Sequence, residues 1–551
     1  MTLGLSTTCY SRALSRAGFT DMLNATPPAA FPAGPRAAPS GAALIVRIAV
    51  RRAVFSLHSW PDHPRLANWS RTDSELVHRL LVVSVSLDGQ WTENPMLRPS
   101  LAKFRRTFDS SFWSKVTTES LVPIPKAERP IRANLLPTLH NDILTTRYMP
   151  NIPRAYLTEN KGGGVARVIP IFTIIDYCAY YYCVKSLEKP LTLHRVSGTF
   201  GGFQMSNPAK GSEQEELEKA LAGYDPGSGV PPGALNPLGW RQEWLRFQAL
   251  AATRAQAIPS CVAVTFDIAN FYDSINLPTL ELSLWQATNV DYSFEIHLLM
   301  CILSNWNRGL DLYKPKQQGV PQDEVGDMSR LLANFYLQGC DKRMSAEAQR
   351  LGCEVLRFSD DHLILAPSLA VANEMLYVAC IELHRIGLNV NASKVRPFAT
   401  WNEYRQSRGL NILEYLPDHA EDDHVNIAAS MFQSQIETRL YFREDSVSKR
   451  FLSIGLDRLE PDAREFIGSR LLERSSLRHA NLWWLRKLYA SLSGEERSQM
   501  LSSLDQEVSE TSFTSFLYSV ARFYEKTVGL DAAQIDHVHQ RIALAEKRLN
   551  G

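Results

Sequence analysis

A chain of 551 residues, 45% hydrophobic and 21% charged, has room for roughly two to four domains and a sizeable core, which sets aside disordered and fibrous classes. The formal net charge of +1 gives no sign of a nucleic-acid coat protein, although a local basic groove can hide inside a neutral total. The eight cysteines (9, 178, 183, 261, 301, 340, 353 and 380) include no C-x-x-C pair and no Cys/His cluster of zinc spacing. They read as reduced core residues of a cytoplasmic protein. No apolar run approaches the ~20 residues of a membrane span, so no membrane role is expected.

In chain order, residues 1–95 differ from everything after them. ATPPAAFPAGPRAAPSGAA (25–43) is a Pro/Ala/Gly tract, and acidic residues are nearly absent before Asp62, so this region reads as a poorly structured extension. A transit peptide would share its Arg- and Ser-rich, acid-poor character. The preferred reading is a linker-like extension or a misassigned start, with Met96 as the alternative first residue. RVIPIFTIIDYCAYYYCVKSLEKPL (167–191) predicts a strand, a turn and a buried helix. Residues 206–239, with their Pro and Gly, read as a loop interval.

From 259 short β-rich runs alternate with helices. CVAVTFDI predicts a strand, residues near 325–343 a helix, EVLRFSDDHLILA a hairpin about Ser359-Asp360-Asp361, and LAVANEMLYVACIELHRIG an amphipathic helix. After about 416 the strand signals fade, and helical segments run to the end. Leu482, Trp483, Trp484 and Leu485 are too contiguous for one clean face, so a helix buried on more than one side is expected there.

Two adjacent aspartates inside the apolar run RFSDDHLIL repel each other and resist desolvation unless a cation holds them. Asp267 ends another apolar strand, in VTFDIANFYDSI (264–275), and a Gly-x-Pro-Gln loop leads into a helix at 317–341. Alone, each is an ordinary cap or turn. Nucleotidyl transfer, however, uses two divalent cations about 3.5–4 Å apart, held by hard oxygen ligands. Asp267, Asp360 and Asp361 on neighbouring strands can supply them.

In order and wording these elements resemble those of reverse transcriptases. FDIANFYDSI looks like motif A, GVPQ through LANFYL like motif B, FSDD like motif C and IGLNVNASKVRPF like motif D, while YLTENKGGGVARVIPIFTIID resembles the fingers motif. The likeness spans about residues 150–400. Within the class, DIANFYDSI, the Trp-rich GWRQEWLRFQAL and the helical C-terminal region look most like the abortive-infection and defence-associated bacterial enzymes. The departure is Asp323 after the motif B glutamine, where a retron would carry glycine; it bears on template handling.

The resemblance implies an α+β right-hand polymerase: fingers at 96–258, palm at 259–415 and an all-α C-terminal domain at 416–551, of solenoid-like helical hairpins. It implies Asp267, Asp360 and Asp361 as catalytic metal ligands, with the Ile268 carbonyl, for a two-metal Mg2+ site that also accepts Mn2+. Tyr272 falls where the family's aromatic abuts the sugar and excludes a ribose hydroxyl; a core role is the alternative. Arg167 and Lys161 would meet the triphosphate, although Lys161 equally suits a solvated hairpin tip. Gly319 and Gln322 would line the nucleotide pocket, with Gly319 serving the turn as the alternative. Lys394 is either a general acid for pyrophosphate or a surface lysine. Asp273 is expected to cap the helix beginning near Ser274, and Asp176 to order the fingers.

The expected partners are dNTPs and nucleic acid (a DNA product, with an RNA template or non-coding RNA), together with further copies of the chain in a homo-oligomer. The implied role is antiphage defence through template-independent or protein-primed DNA synthesis. Two rivals remain. A conventional RNA-templated enzyme of a retron or mobile element would carry a strongly basic thumb, whereas FREDSVSKRFL and LSGEERSQML mix both signs. A non-catalytic polymerase-shaped scaffold would not need three carboxylates.

Overall fold

The computed structural model describes residues 98–549 except 109–111, 114–115, 117–119, 123–131, 162–163, 193–194, 203–204, 206–239, 308–318, 323–327, 418 and 439–441. The expectations for the extension at 1–95, Met96, the interval 206–239 and Asp323 lie outside the described residues, as do Cys9, Gly162 and Gly163. The seven described cysteines are free thiols, and Cys301 and Cys380 alone among these seven are not fully buried.

Two sheets are present. Strands β1 (Ala155–Asn160) and β2 (Ala166–Ile171) form an antiparallel hairpin. The second sheet has the order β3-β5-β6-β4-β7, from Thr199–Phe200, Glu354–Phe358, Asp361–Ala366, Val262–Asp267 and Arg396–Phe398. Side chains alternate across a strand with a period of two. On one face Ala263, Leu363 and Leu365 pack with Phe247 and Leu250 of helix α2 (Trp240–Ala257). On the other, Val264, Phe266, Ile364 and Ala366 join the core of helices α3 (Met328–Leu351) and α4 (Leu369–Arg385). Both central strands are covered on two sides, which is why they read as continuous apolar runs.

Helix α1 (Ile174–Thr192) is apolar nearly all round and correspondingly buried. Its tyrosines keep hydrogen-bonding partners in the interior: Tyr182 donates to Glu295 Oε1 at 2.7 Å, and the Tyr180 and Ser329 hydroxyls lie 3.0 Å apart. At its start Asp176 accepts from the Tyr148 hydroxyl, from the backbone and side chain of Asn151, and from Thr173. One apolar core runs from Phe104 to Leu388.

A separate core runs from Ile412 to Ala545 through the C-terminal helices. Among these, α5 (Leu482–Ser491) corrects the sequence reading. Trp484, Leu485 and Leu488 are buried on one side, while Trp483 is 43% exposed. Asn481 caps this helix, and with about 3.6 residues per turn only part of the contiguous run faces inward. Helix α6 (Thr514–Phe523) returns to the hairpin. The Thr158 backbone N–H donates to Thr514 Oγ1 at 2.8 Å, and the Thr514 N–H donates to Thr158 Oγ1 at 2.9 Å. Arg522 donates to the Ser120 carbonyl at 2.8 Å beside them.

This reciprocal pair satisfies the outer edge of β1 in a buried place. Thr514→Val removes the acceptor and leaves the Thr158 N–H buried without it, which is expected to cost about 1–3 kcal/mol. Urea unfolding should register that loss, and amide exchange should quicken at β1.

Candidate active site

β4 and β6 are antiparallel, and their register sets Asp267 directly opposite Asp361. The alternation along both strands puts these carboxylates on the same face, at the end of the sheet. Asp360 belongs to the turn between β5 and β6, where Ser359 adopts a left-handed φ of 57°. Beyond Asp267 the chain continues into a bridge between Ile268 and Val390, flanked by Asn391 N donating to Asp267 O and Ala269 N donating to Asn389 O. In such a ladder, consecutive residues point to opposite edges, so the Ile268 carbonyl is turned away from residues 389–391.

The electrostatics follow from this crowding. Asp267 is buried; Lys394 donates to its Oδ2 at 2.6 Å, while its Oδ1 has no hydrogen-bond partner. Burial first, and then the charges of Asp267 and Asp361, push the Asp360 carboxyl up to about 6. Arg443 stands 4.0 Å from Asp361 Oδ2. Behind the acids the His362 ring stacks on Phe266, and burial, with Arg357 nearby, lowers it to about 3, so it is neutral at physiological pH.

Among the described residues no group of three or more His, Cys, Asp or Glu stands ready to hold a metal ion. Two features nevertheless fit a divalent cation: the unpartnered buried oxygen of Asp267, and the burial and carboxylate repulsion that raise the Asp360 carboxyl. A cleft of about 190 Å³ opens beside them, lined by Asp267 and Asp361 with Lys394, Arg396, Ser407, Arg408 and Arg443.

The remaining expected residues divide. Lys161 is at the exposed hairpin tip, its N–H donating to Val165 O, and Arg167 pairs across the hairpin with Glu159 at 3.7 Å. Neither they nor Gln322 line the cleft. Tyr272 is half-buried against the main core. Gly319 is tied to it through the backbone: Val320 N donates to Tyr272 O at 3.0 Å, and Trp306 Nε1 donates to Gly319 O at 3.0 Å. A Cβ on Gly319 would stand 1.9 Å from Tyr272 O, so glycine is required here for close approach. Asp273 does not cap the following helix; it lies inside the short helix Phe271–Ser274, whose N-cap is Asn270 in a left-handed conformation.

Arg396, Arg408 and Arg443 escaped the sequence reading because they lie beyond the acidic motifs and only the fold gathers them. Arg357 left a signal: a charged residue set between the apolar Leu356 and Phe358.

Residues 215–427 match the family described as reverse transcriptase (RNA-dependent DNA polymerase). The match indicates RNA-directed DNA polymerase, that is nucleotidyltransferase, activity, and implies the fingers-and-palm fold with binding of nucleic acid and deoxynucleotides. Enzymes of this family generally use divalent ions such as Mg2+. No curated protein matches the chain, and no described helix is long and apolar enough to cross a membrane.

Two outcomes test this geometry. Gly319→Ala should destabilise the protein by about 1–3 kcal/mol through the forced contact with Tyr272, visible as a lower melting temperature. In metal-free protein a carboxyl should titrate near pH 6 by infrared difference spectroscopy and disappear in Asp360→Asn. Its folded value lies above the usual one, so its contribution to stability is full below about pH 4 and is lost as pH rises through 6.

Proposed function

We propose that Asp267, Asp360 and Asp361 are the catalytic carboxylates of a Mg2+-dependent, reverse-transcriptase-like DNA polymerase, with the Ile268 carbonyl completing the ligand set. The observation that carries this reading is the pairing of Asp267 with Asp361 at the sheet end, with Asp360 electrostatically coupled to both. Bound there, Mg2+ supplies the positive charge that activates the attacking hydroxyl and steadies the triphosphate. Lys394 holds Asp267 Oδ2 and is a proton source for the leaving pyrophosphate. Arg396, Arg408 and Arg443 give the adjoining cleft the charge to take phosphates of the strand end. Tyr272, fixed through Gly319, is the residue to select deoxyribose, with Gln322 beside the same loop. Arg167 and Lys161 reach the triphosphate only if the β1–β2 hairpin approaches the acids.

The finer assignment is antiphage defence by template-independent or protein-primed synthesis, in a homo-oligomer built on helical repeats. It rests on the DIANFYDSI wording and on the all-α region after β7. A conventional RNA-templated enzyme remains the second reading, favoured by the description of the matched family.

The deciding experiment incubates full-length protein with Mg2+ and each labelled dNTP or rNTP, with and without an RNA template and primer, and resolves products before and after protease. Asp360→Asn and Asp361→Asn should each lower incorporation about a hundredfold or more, and chelation of the metal should abolish it. Label growing on the protein from dNTPs alone supports protein priming. Strict need for template and primer supports the conventional enzyme, and undiminished incorporation in both variants removes the catalytic assignment.

A further inference from the structure

The turn that carries Asp360 and Asp361 is held from behind by a buried cation that the chemistry above does not use. Arg357, on β5, is 1% exposed and heads the fully buried side chains by volume. Its Nε and Nη2 form a two-pronged contact with Asp341 of α3, at 2.8 Å to Oδ1 and 2.6 Å to Oδ2. Its Nη1 donates at 2.6 Å to Asn334 Oδ1 and at 2.6 Å to the carbonyl of Ser359. Asn334 is itself tied to the carbonyls of Arg330 and Gly202.

Each peptide group of the turn has an anchor. Ser359 N donates to Phe200 O at 2.9 Å, Ser359 O accepts from Arg357, and Asp360 O lies 3.0 Å from His362 Nδ1. A carbonyl only accepts, so that nitrogen carries the proton. Ser359 stands in the left-handed region, which a non-glycine residue keeps only where its surroundings impose it. A planar guanidinium with fixed donor directions is suited to that task in a way an ammonium is not.

We propose that Arg357 is a positioning residue for nucleotidyl transfer: clamped by Asp341 and Asn334, its guanidinium fixes the Ser359 carbonyl and so the direction in which Asp360 and Asp361 present their carboxylates. This rests on the reading of those aspartates as catalytic. Complete removal of the arginine would strand Asp341 as a buried unpaired charge and unfold the protein for reasons unrelated to catalysis. The informative variants keep the charge.

The test measures steady-state kcat and KM for dNTP in full-length Arg357→Lys, Ser359→Gly and the double variant, with folding checked by circular dichroism. Arg357→Lys should lower kcat about tenfold or more at unchanged KM. Because both substitutions act on one carbonyl, their effects should not multiply. A folded Arg357→Lys with kcat within about twofold of the parent, or losses that multiply, overturns the proposal. If Arg357→Lys does not fold, Asn334→Ala decides, since it frees one prong and leaves the ion pair intact: kcat about threefold lower or more supports the role and an unchanged kcat overturns it. Asp361→Asn run alongside separates the two claims, because full activity there removes the catalytic assignment itself, whereas an inactive Asp361→Asn beside an unaffected Arg357→Lys removes only this one.

Discussion

Three carboxylates brought together at the end of a sheet repel one another, and the surrounding structure is arranged around that repulsion. The register of β4 against β6 fixes two of them face to face, and the turn adds the third. Carboxylates so placed either keep a proton, attract fixed cations or bind a mobile one. All three responses have a representative here: Asp360 is pushed toward its protonated form, Lys394 and Arg443 lean in from the side, and one oxygen of Asp267 is left over. A site that only needed stability would have used apolar residues.

Holding such a cluster takes rigid support, and the support is built from buried polar groups. Arg357 with Asp341 lies behind the turn, the neutral His362 lies on Phe266, and Trp306 holds the Gly319 loop against the backbone of Tyr272. Buried ion pairs contribute little net stability compared with well-packed hydrophobic residues, so their value here is directional.

Much of this was legible in the sequence because a strand buried on both faces writes a plain signal. VAVTF and LILA are apolar at every position but Thr265, so the acids at their ends stand out, and Ser359-Asp360-Asp361 forms the turn its pattern describes. The buried helix after β2 was equally plain from its tyrosines. What the pattern could not convey was contact between distant segments. The basic residues of the cleft come from three places along the chain, Lys394 with Arg396, Arg408 and Arg443, and no local rule connects the three. Asp273 was misplaced as a cap because the left-handed Asn270 starts its helix early, and a single asparagine gives little notice of that. The run at 482–485 looked buried on more than one side because hydropathy does not say which tryptophan faces out.

The pairing of Thr158 with Thr514 also sets an order of assembly. The two residues are 356 positions apart, so during synthesis the outer edge of β1 waits for a partner that is made much later. At about 5–20 residues per second that interval is roughly 20–70 s, during which a bare strand edge can pair with other chains. Contacts of such long range also slow folding once synthesis ends. The hairpin at 155–171 therefore reaches its final hydrogen-bonded state only after the helix that carries Thr514 has been made, which makes that helix a checkpoint on the first sheet.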